Sequence, residues 1–256
     1  MSRITEIWIK IRRKWAKLRL QPIRVFCFHQ VSDKYDPEVY CKPDWIPSDF
    51  LKSYIEQLRA EGYEFISLAE AQAKMAKDKF RISKYAVLTA DDGLRCQLEL
   101  LPWLEKQRIP ITLFVNIETL DGDTCGCVVK KYFAIKDRVT ELKYAKKLYF
   151  TKDDIEHLPA IVSIGMHGIT HDEVTAMPLE EFESMIRTCE SALGTNSLYI
   201  PFYAYTYGMH NNRTDEELRK LHVTSVLADG GVNYDESNVI HREILEYIYK
   251  CQNQVS

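Results

Sequence analysis

From residue 23 onward the chain alternates short apolar runs with stretches of helical periodicity, and this rhythm restricts the fold more than any other feature. Apolar runs at 23–28, 64–67, 85–90, 111–116, 161–166, 198–203 and 223–228 have the length and composition of buried strands. Between them, 48–61, 68–76, 97–107, 178–193 and 214–221 read as helices. In the first of these, Phe50, Leu51, Tyr54, Ile55 and Leu58 recur at three- and four-residue spacing before Gly62. Thr151-x-x-Asp154 has the form of a capping box, and Gly194 is the expected stop of 178–193. Strands that alternate with helices pair in parallel, because a parallel pair needs a long crossover. The fold class expected is therefore α/β, with a parallel sheet or barrel. A chain of 256 residues, 46% hydrophobic, suits one barrel or two small domains and can bury a sizeable core.

Polar residues collect where the apolar runs end. His29 follows 23–28, Asp91 and Asp92 follow 85–90, and His167 follows 161–166 with His171 four residues on. Tyr205, Tyr207 and Gly208 follow 198–203, and His241 ends the short apolar step Val239-Ile240. In α/β barrels the carboxyl ends of the strands share one face, which is where sites form. Two imidazoles and a carboxylate can hold a divalent ion and leave positions open for water and substrate, while a second carboxylate takes a proton. Each half has a plainer reading: Asp-Asp-Gly is common turn chemistry, and a His pair at i, i+4 can share a solvated helix face. Their joint placement favours the site. The zincin pattern is excluded, since Gly168 stands where Glu would follow the first His. His157, His210 and His222 have no such placement and read as structural.

Three further segments carry information. Residues 1–22 read as a basic amphipathic helix, with Ile4, Ile7, Trp8, Ile11, Trp15 and Leu18 on one stripe and Lys10, Arg13, Lys14 and Lys17 opposite. Residues 1–20 could lie on an anionic membrane surface, or the stripe could dock against the domain or a partner. Residues 1–24 carry a formal charge of +7 and the remainder −10, while the net −3 argues against a nucleic-acid binder. The stretch 121–149 breaks the rhythm. With seven Lys/Arg, four Asp/Glu and four aromatic residues, it reads either as a lid or substrate-binding insertion or as a peripheral decoration. Seven cysteines without framework spacing suit a reducing compartment, and Cys125-Gly-Cys127 reads as ordinary loop. The sequence shows neither an export signal nor an apolar run long enough to span a membrane. A cytoplasmic location is expected, with residues 1–20 offering contact with the inner face of the membrane.

The motifs resemble those of the polysaccharide deacetylases, the NodB-like class or carbohydrate esterase family 4, over about residues 23–247. Thr89-Ala-Asp-Asp-Gly93 is similar to the family's Thr-Phe-Asp-Asp-Gly, and His167-Gly-Ile-Thr-His171 to its His-Ser/Thr-x-x-His. Tyr203-Ala-Tyr-Thr-Tyr-Gly208 resembles its third motif, and Phe28-His29-Gln-Val the Tyr-His-x-Val opening of one branch. The resemblance implies a distorted (β/α) barrel spanning 23–256 that hydrolyses N- or O-acetyl groups on sugars with the help of a divalent metal, zinc being the expected ion. It implies Asp92, His167 and His171 as metal ligands, Asp91 as catalytic base, the Tyr207 N–H as oxyanion donor, and Tyr205 and Tyr207 as substrate-binding residues. Two histidines are candidates for the general acid, His29 and His241, with His29 preferred. The chain departs from the family at Ala90, which replaces an aromatic, at Ala204, where many members have an Arg that tethers the base, and at Thr206, which replaces Pro and predicts a less rigid loop.

The implied partner is an acetylated saccharide, such as a lipid- or nucleotide-linked precursor of a surface polysaccharide. Two other classes compete. One is a carbohydrate-binding pseudoenzyme on the same barrel, against which Asp91 argues, since a binding module has no use for a base beside three ligands. The other is a membrane-docking scaffold driven by residues 1–20.

Overall fold

The computed structural model describes residues 21–37, 40, 42–77, 83–121, 148–235 and 238–253. The helix expected at the N-terminus, Cys125-Gly-Cys127 and nearly all of the 121–149 insertion lie outside the described residues. Most of the expected rhythm is observed. Strand β1 (Ile23–Phe28) pairs in parallel with β5 (Lys84–Ala90), which continues through β6 (Ile111–Val115), β7 (Val162–Met166), β8 (Tyr199–Ala204) and β9 (Thr224–Val226). A short β4 (Tyr63–Phe65) pairs with the first residues of β5, and β6 takes the same strand's last residues. Helices α1 (Ser48–Ala60), α2 (Leu68–Lys77), α3 (Arg95–Gln107), α4 (Lys152–Glu156), α5 (Leu179–Leu193) and α6 (Asn212–Lys220) lie between them in sequence. The Thr151 cap is present: its hydroxyl accepts from the Asp154 N–H while the Asp154 carboxylate accepts from the Thr151 N–H.

Four short pieces were not legible as strands. β2 (Gln30–Ser32) and β3 (Trp45–Pro47) form a separate two-stranded parallel sheet. β10 (Val239–Ile240) and β11 (Glu243–Ile244), followed by α7 (Leu245–Asn253), matter more. β10 pairs with β9 at one end of the main sheet, and β11 pairs with β1 at the other. Only His241 and Arg242 separate these two strands, so the chain itself joins the two ends of the curled sheet. Asn233 pins this seam: its side-chain amide donates to the Ile23 and His241 carbonyls, and its amide oxygen accepts from the His241 N–H.

Side-chain alternation along the strands makes two cores. Ile23, Val25, Val87, Phe114, Phe202, Ala204, Val226 and Ile240 form one cluster with Ile66, Leu68, Ala71 and Met75, which lines the inside of the curl. Phe26, Phe28, Ala86, Leu88, Leu113, Ile164 and Tyr203 face outward into a larger core with α1, α3 and α5. Gly165 of β7 points inward, where a Cβ would lie 2.4 Å from the Phe114 ring. Its missing side chain is what lets that ring fill the interior.

Candidate metal centre and active-site cavity

The carboxyl ends of the strands open into a cavity of about 460 Å³ lined by His29, Asp91, His167, His171, Tyr205, Tyr207 and Gly208 among others. Residues that the sequence places 29 to 208 positions along the chain thus meet because parallel strands deliver them to one face.

Asp92, buried at the end of β5, turns its Oδ1 to within 3.2 Å of His167 Nε2 and 3.3 Å of His171 Nε2. Among the described residues, this is the group of His, Cys, Asp and Glu side chains that could hold a metal ion. The orientation of His167 fits that role. Its Nδ1 lies 2.8 Å from the Ala204 carbonyl oxygen, which can only accept, so Nδ1 carries the proton and Nε2 presents a lone pair to the cluster. Two ligand positions have left-handed backbone, Asp92 at φ 72° and His171 at φ 59°, and the cavity residue Tyr207 does too at φ 57°. Left-handed backbone is uncommon outside glycine, though Asp and His adopt it more readily than most, and here it sets the direction in which these side chains leave the chain.

Asp91 lies beside the trio and is held differently. Arg242, fully buried, donates from Nη1 to Asp91 Oδ1 at 2.6 Å and from Nη2 to Oδ2 at 2.8 Å. The rest of the guanidinium is also engaged: Nη1 reaches the Thr89 hydroxyl at 3.1 Å and Nε the Leu227 carbonyl at 3.1 Å. The Thr89 hydroxyl in turn donates to the Phe26 carbonyl. The guanidinium sits 5.3 Å from the Phe114 ring that Gly165 accommodates. Burial pushes the Asp91 carboxyl up, but Arg242 outweighs it and holds the pKa below the ordinary carboxylate value.

His29 is oriented by Glu246 of α7. A single Glu246 oxygen, Oε1, accepts from the His29 backbone N–H at 2.7 Å and lies 3.0 Å from its Nδ1, which leaves Nε2 as the other ring nitrogen. Burial disfavours the imidazolium, yet the Glu246 charge, helped by Asp92 and Asp91, raises His29 to about 10. Gln97 of α3 ties the two loops together, donating from Nε2 to the carbonyls of His29 and Asp91 at 2.9 and 2.6 Å.

This arrangement has known counterparts. A family model described as polysaccharide deacetylase matches residues 79–226, more than half of the chain. The chain belongs to the polysaccharide deacetylase family. IcaB from Ammonifex degensii is similar in structure with a TM-score of 0.67 at 18% identity, over 88% of this chain and 91% of that one. A polysaccharide deacetylase from Bacillus cereus gives 0.66 at 15% identity over 88% of this chain, which spans 65% of the other's length. A Streptococcus pyogenes deacetylase, PplD, solved in complex with acetate, gives 0.60 at 17% identity, over 88% and 92% of the two chains. At these identities the likeness is one of fold, the curled parallel sheet expected of a deacetylase barrel. Comparison with curated protein sequences finds no match.

Within this deacetylase fold, the departures in the third motif find structural answers. Ala204 brings no guanidinium to Asp91, but Arg242 reaches it from the seam, and the Ala204 carbonyl serves His167 instead. Thr206, expected to loosen its loop, is buried, and its hydroxyl donates to the Asp172 carbonyl next to His171.

One sequence candidate needs correction in its placement, and a second is placed as expected with its hydroxyl engaged elsewhere. His241 does not line the cavity. Ile240 and Arg242 face the interior of the curl, so strand alternation turns His241 outward, where its Nδ1 lies 2.7 Å from Asp229 Oδ2. Tyr205 does line the cavity, but its hydroxyl points away and donates to Asp215 Oδ1 at 2.9 Å, with His210 Nδ1 2.8 Å from the other oxygen. Its contribution to the cavity is therefore not a hydroxyl hydrogen bond. Arg242, Glu246 and Gln97 escaped the sequence reading. Arg242 had one visible signal, a charged residue beside the apolar step 239–240, but nothing in the sequence shows which strands that step joins.

Proposed function

We propose that this chain is a metal-dependent hydrolase that removes an N- or O-acetyl group from a sugar, in the synthesis or modification of a surface polysaccharide. The observation that carries the reading is the meeting of Asp92 with His167 and His171, two residues of the same cavity that the Arg-held Asp91 and the Glu-held His29 line. One carboxylate and two imidazoles suit zinc or another first-row divalent ion and leave positions open. Such an ion, when bound, would polarise the acetyl carbonyl and make attacking water more acidic.

The remaining chemistry belongs to the chain. Asp91, kept ionised by Arg242, would accept a proton from the attacking water at a carboxylate oxygen. His29, kept protonated by Glu246, would give its Nε2 proton to the departing nitrogen or oxygen of the sugar. The Tyr207 N–H would hold the negative charge that develops on the former carbonyl oxygen. Acetate is the product this reaction would yield, and a fold neighbour was solved with acetate bound. The paired supports of Asp91 and His29 favour hydrolysis over simple sugar binding, which needs neither group ionised in a fixed orientation.

The test is metal content together with acetate release from N-acetylglucosamine oligomers by the full-length protein. One ion per chain and acetate release are expected, and His167→Ala should lose both. Full metal content in that variant would reject the ligand assignment.

A further inference from the structure

Beyond Phe28 and Ala90, the last paired residues of β1 and β5, the chain continues into the two segments that carry His29 and Asp91. One bond of the ladder persists there, from the Asp91 N–H to the Phe28 carbonyl at 3.1 Å. The His29 N–H has left the ladder for Glu246, and the carbonyls of His29 and Asp91 both accept from the side chain of Gln97. Gln97 is fully buried in the first turn of α3 and does not line the cavity. Its amide is fully engaged. Nε2 gives one hydrogen to the His29 carbonyl at 2.9 Å and the other to the Asp91 carbonyl at 2.6 Å, while Oε1 accepts from the Leu94 N–H at 3.2 Å. The Gln97 backbone N–H donates to the Leu94 carbonyl at 2.9 Å, so the start of the helix fixes where that amide stands.

Gln97 differs in kind from the other two supports. Arg242 and Glu246 are charged and hold the side chains of Asp91 and His29. Gln97 is neutral and bonds only to main chain, so it acts on the distance between the two residues and not on their charge. The two residues depend on it unequally. Asp91 keeps a ladder bond and the bidentate Arg242 without Gln97, whereas the His29 segment keeps only its contacts with Glu246. A base and an acid that serve one acetyl group must stand at a set spacing, and a small misplacement of such a group slows the reaction steeply. We propose that Gln97 is a positioning residue that fixes the spacing of His29 from Asp91, so that substrates whose leaving group must be protonated depend on it and substrates with a good leaving group do not. This rests on the hydrolase reading above and adds the residue that couples its two proton-transfer groups.

The experiment compares two probes on zinc-loaded, full-length protein, with metal analysis and circular dichroism on every variant. N-acetylglucosamine oligomers release an amine that must be protonated as it leaves. p-Nitrophenyl acetate releases a phenolate that leaves without a proton. Gln97→Met keeps the length of the side chain and removes both donors. Its kcat on the oligomers should fall about 10–100-fold with KM little changed, while its rate on p-nitrophenyl acetate stays within about threefold of the wild type. Gln97→Glu also removes the two donors but keeps the acceptor for the Leu94 N–H, and it should show the same split. A role in the fold alone would lower both rates together. An equal loss on the two probes, no loss on either, or unfolding of both variants would overturn the positioning role. If the wild type is active and a folded variant shows no split, the role of Gln97 fails and the hydrolase stands. A wild type that hydrolyses neither probe removes the hydrolase, and the positioning role with it.

Discussion

The two halves of the cavity are built by different means. Asp91, Asp92, His167 and His171 sit directly after β5 and β7, each pair within five residues of sequence. Arg242 and Glu246, which hold Asp91 and His29, come from the segment where the chain bridges the two ends of the sheet. In the proposed reaction, the first half presents the reactive groups and the second aims them. A motif can fix which atoms are available, but their direction depends on partners that reach them only once the sheet has curled.

If that division holds, removing a reactive group should abolish chemistry, whereas removing an aiming group should weaken it by releasing the group it holds. The largest effect is expected for Asp91→Asn, which keeps the shape and loses the basicity. Acetate release should fall by about 10²–10⁴-fold with metal content unchanged. Near-normal turnover, read in the same assay with metal analysis, would move the base to another residue.

Arg242→Gln strikes the seam. It leaves the Asp91 carboxylate buried without its bidentate partner, and breaking a buried pair in this way costs about 3–5 kcal/mol. Urea unfolding should show that loss along with reduced acetate release. A stability equal to that of the wild type would mean that Arg242 is not what compensates the buried charge.

Glu246→Gln is expected to act through pH. Glu246 raises the His29 pKa, so the imidazolium–carboxylate pair adds stability that is fully present below the ordinary histidine value of about 6.5 and is lost as pH rises through about 10. Without the Glu246 charge, His29 should lose its proton at lower pH. The alkaline limb of the acetate-release profile should move down with it. An unmoved alkaline limb would assign proton donation elsewhere.

The smallest effect should come from Tyr205→Phe. It deletes the hydroxyl bond to Asp215 and should cost about 0.5–1.5 kcal/mol of stability, with saccharide affinity little changed. A large loss of affinity in calorimetry at full stability would restore the hydroxyl to the substrate and blur the division between the halves.

Much of this was legible in the sequence, for a local reason. Parallel strands buried on both faces must be near-continuous apolar runs, and β1, β5, β6, β7 and β8 showed themselves that way. The polar residues at their exits stand out against such runs, so Asp91, Asp92, His29, His167 and His171 could be named before any of them had a position in space. Strands of two or three residues have no room for a periodicity, and β10 and β11 escaped. With them went the distinction between His241 and Arg242, two neighbours of which one faces out to Asp229 and the other in to Asp91. The chain by itself determined the strand–helix order and the chemistry offered at the strand ends, because those depend on hydrophobic pattern and residue type. Only the tertiary structure decided which side chains face the interior and which distant residue completes each pair, because sheet closure sets the inward direction at the seam and brings residues 91 and 242, or 29 and 246, into hydrogen-bonding distance.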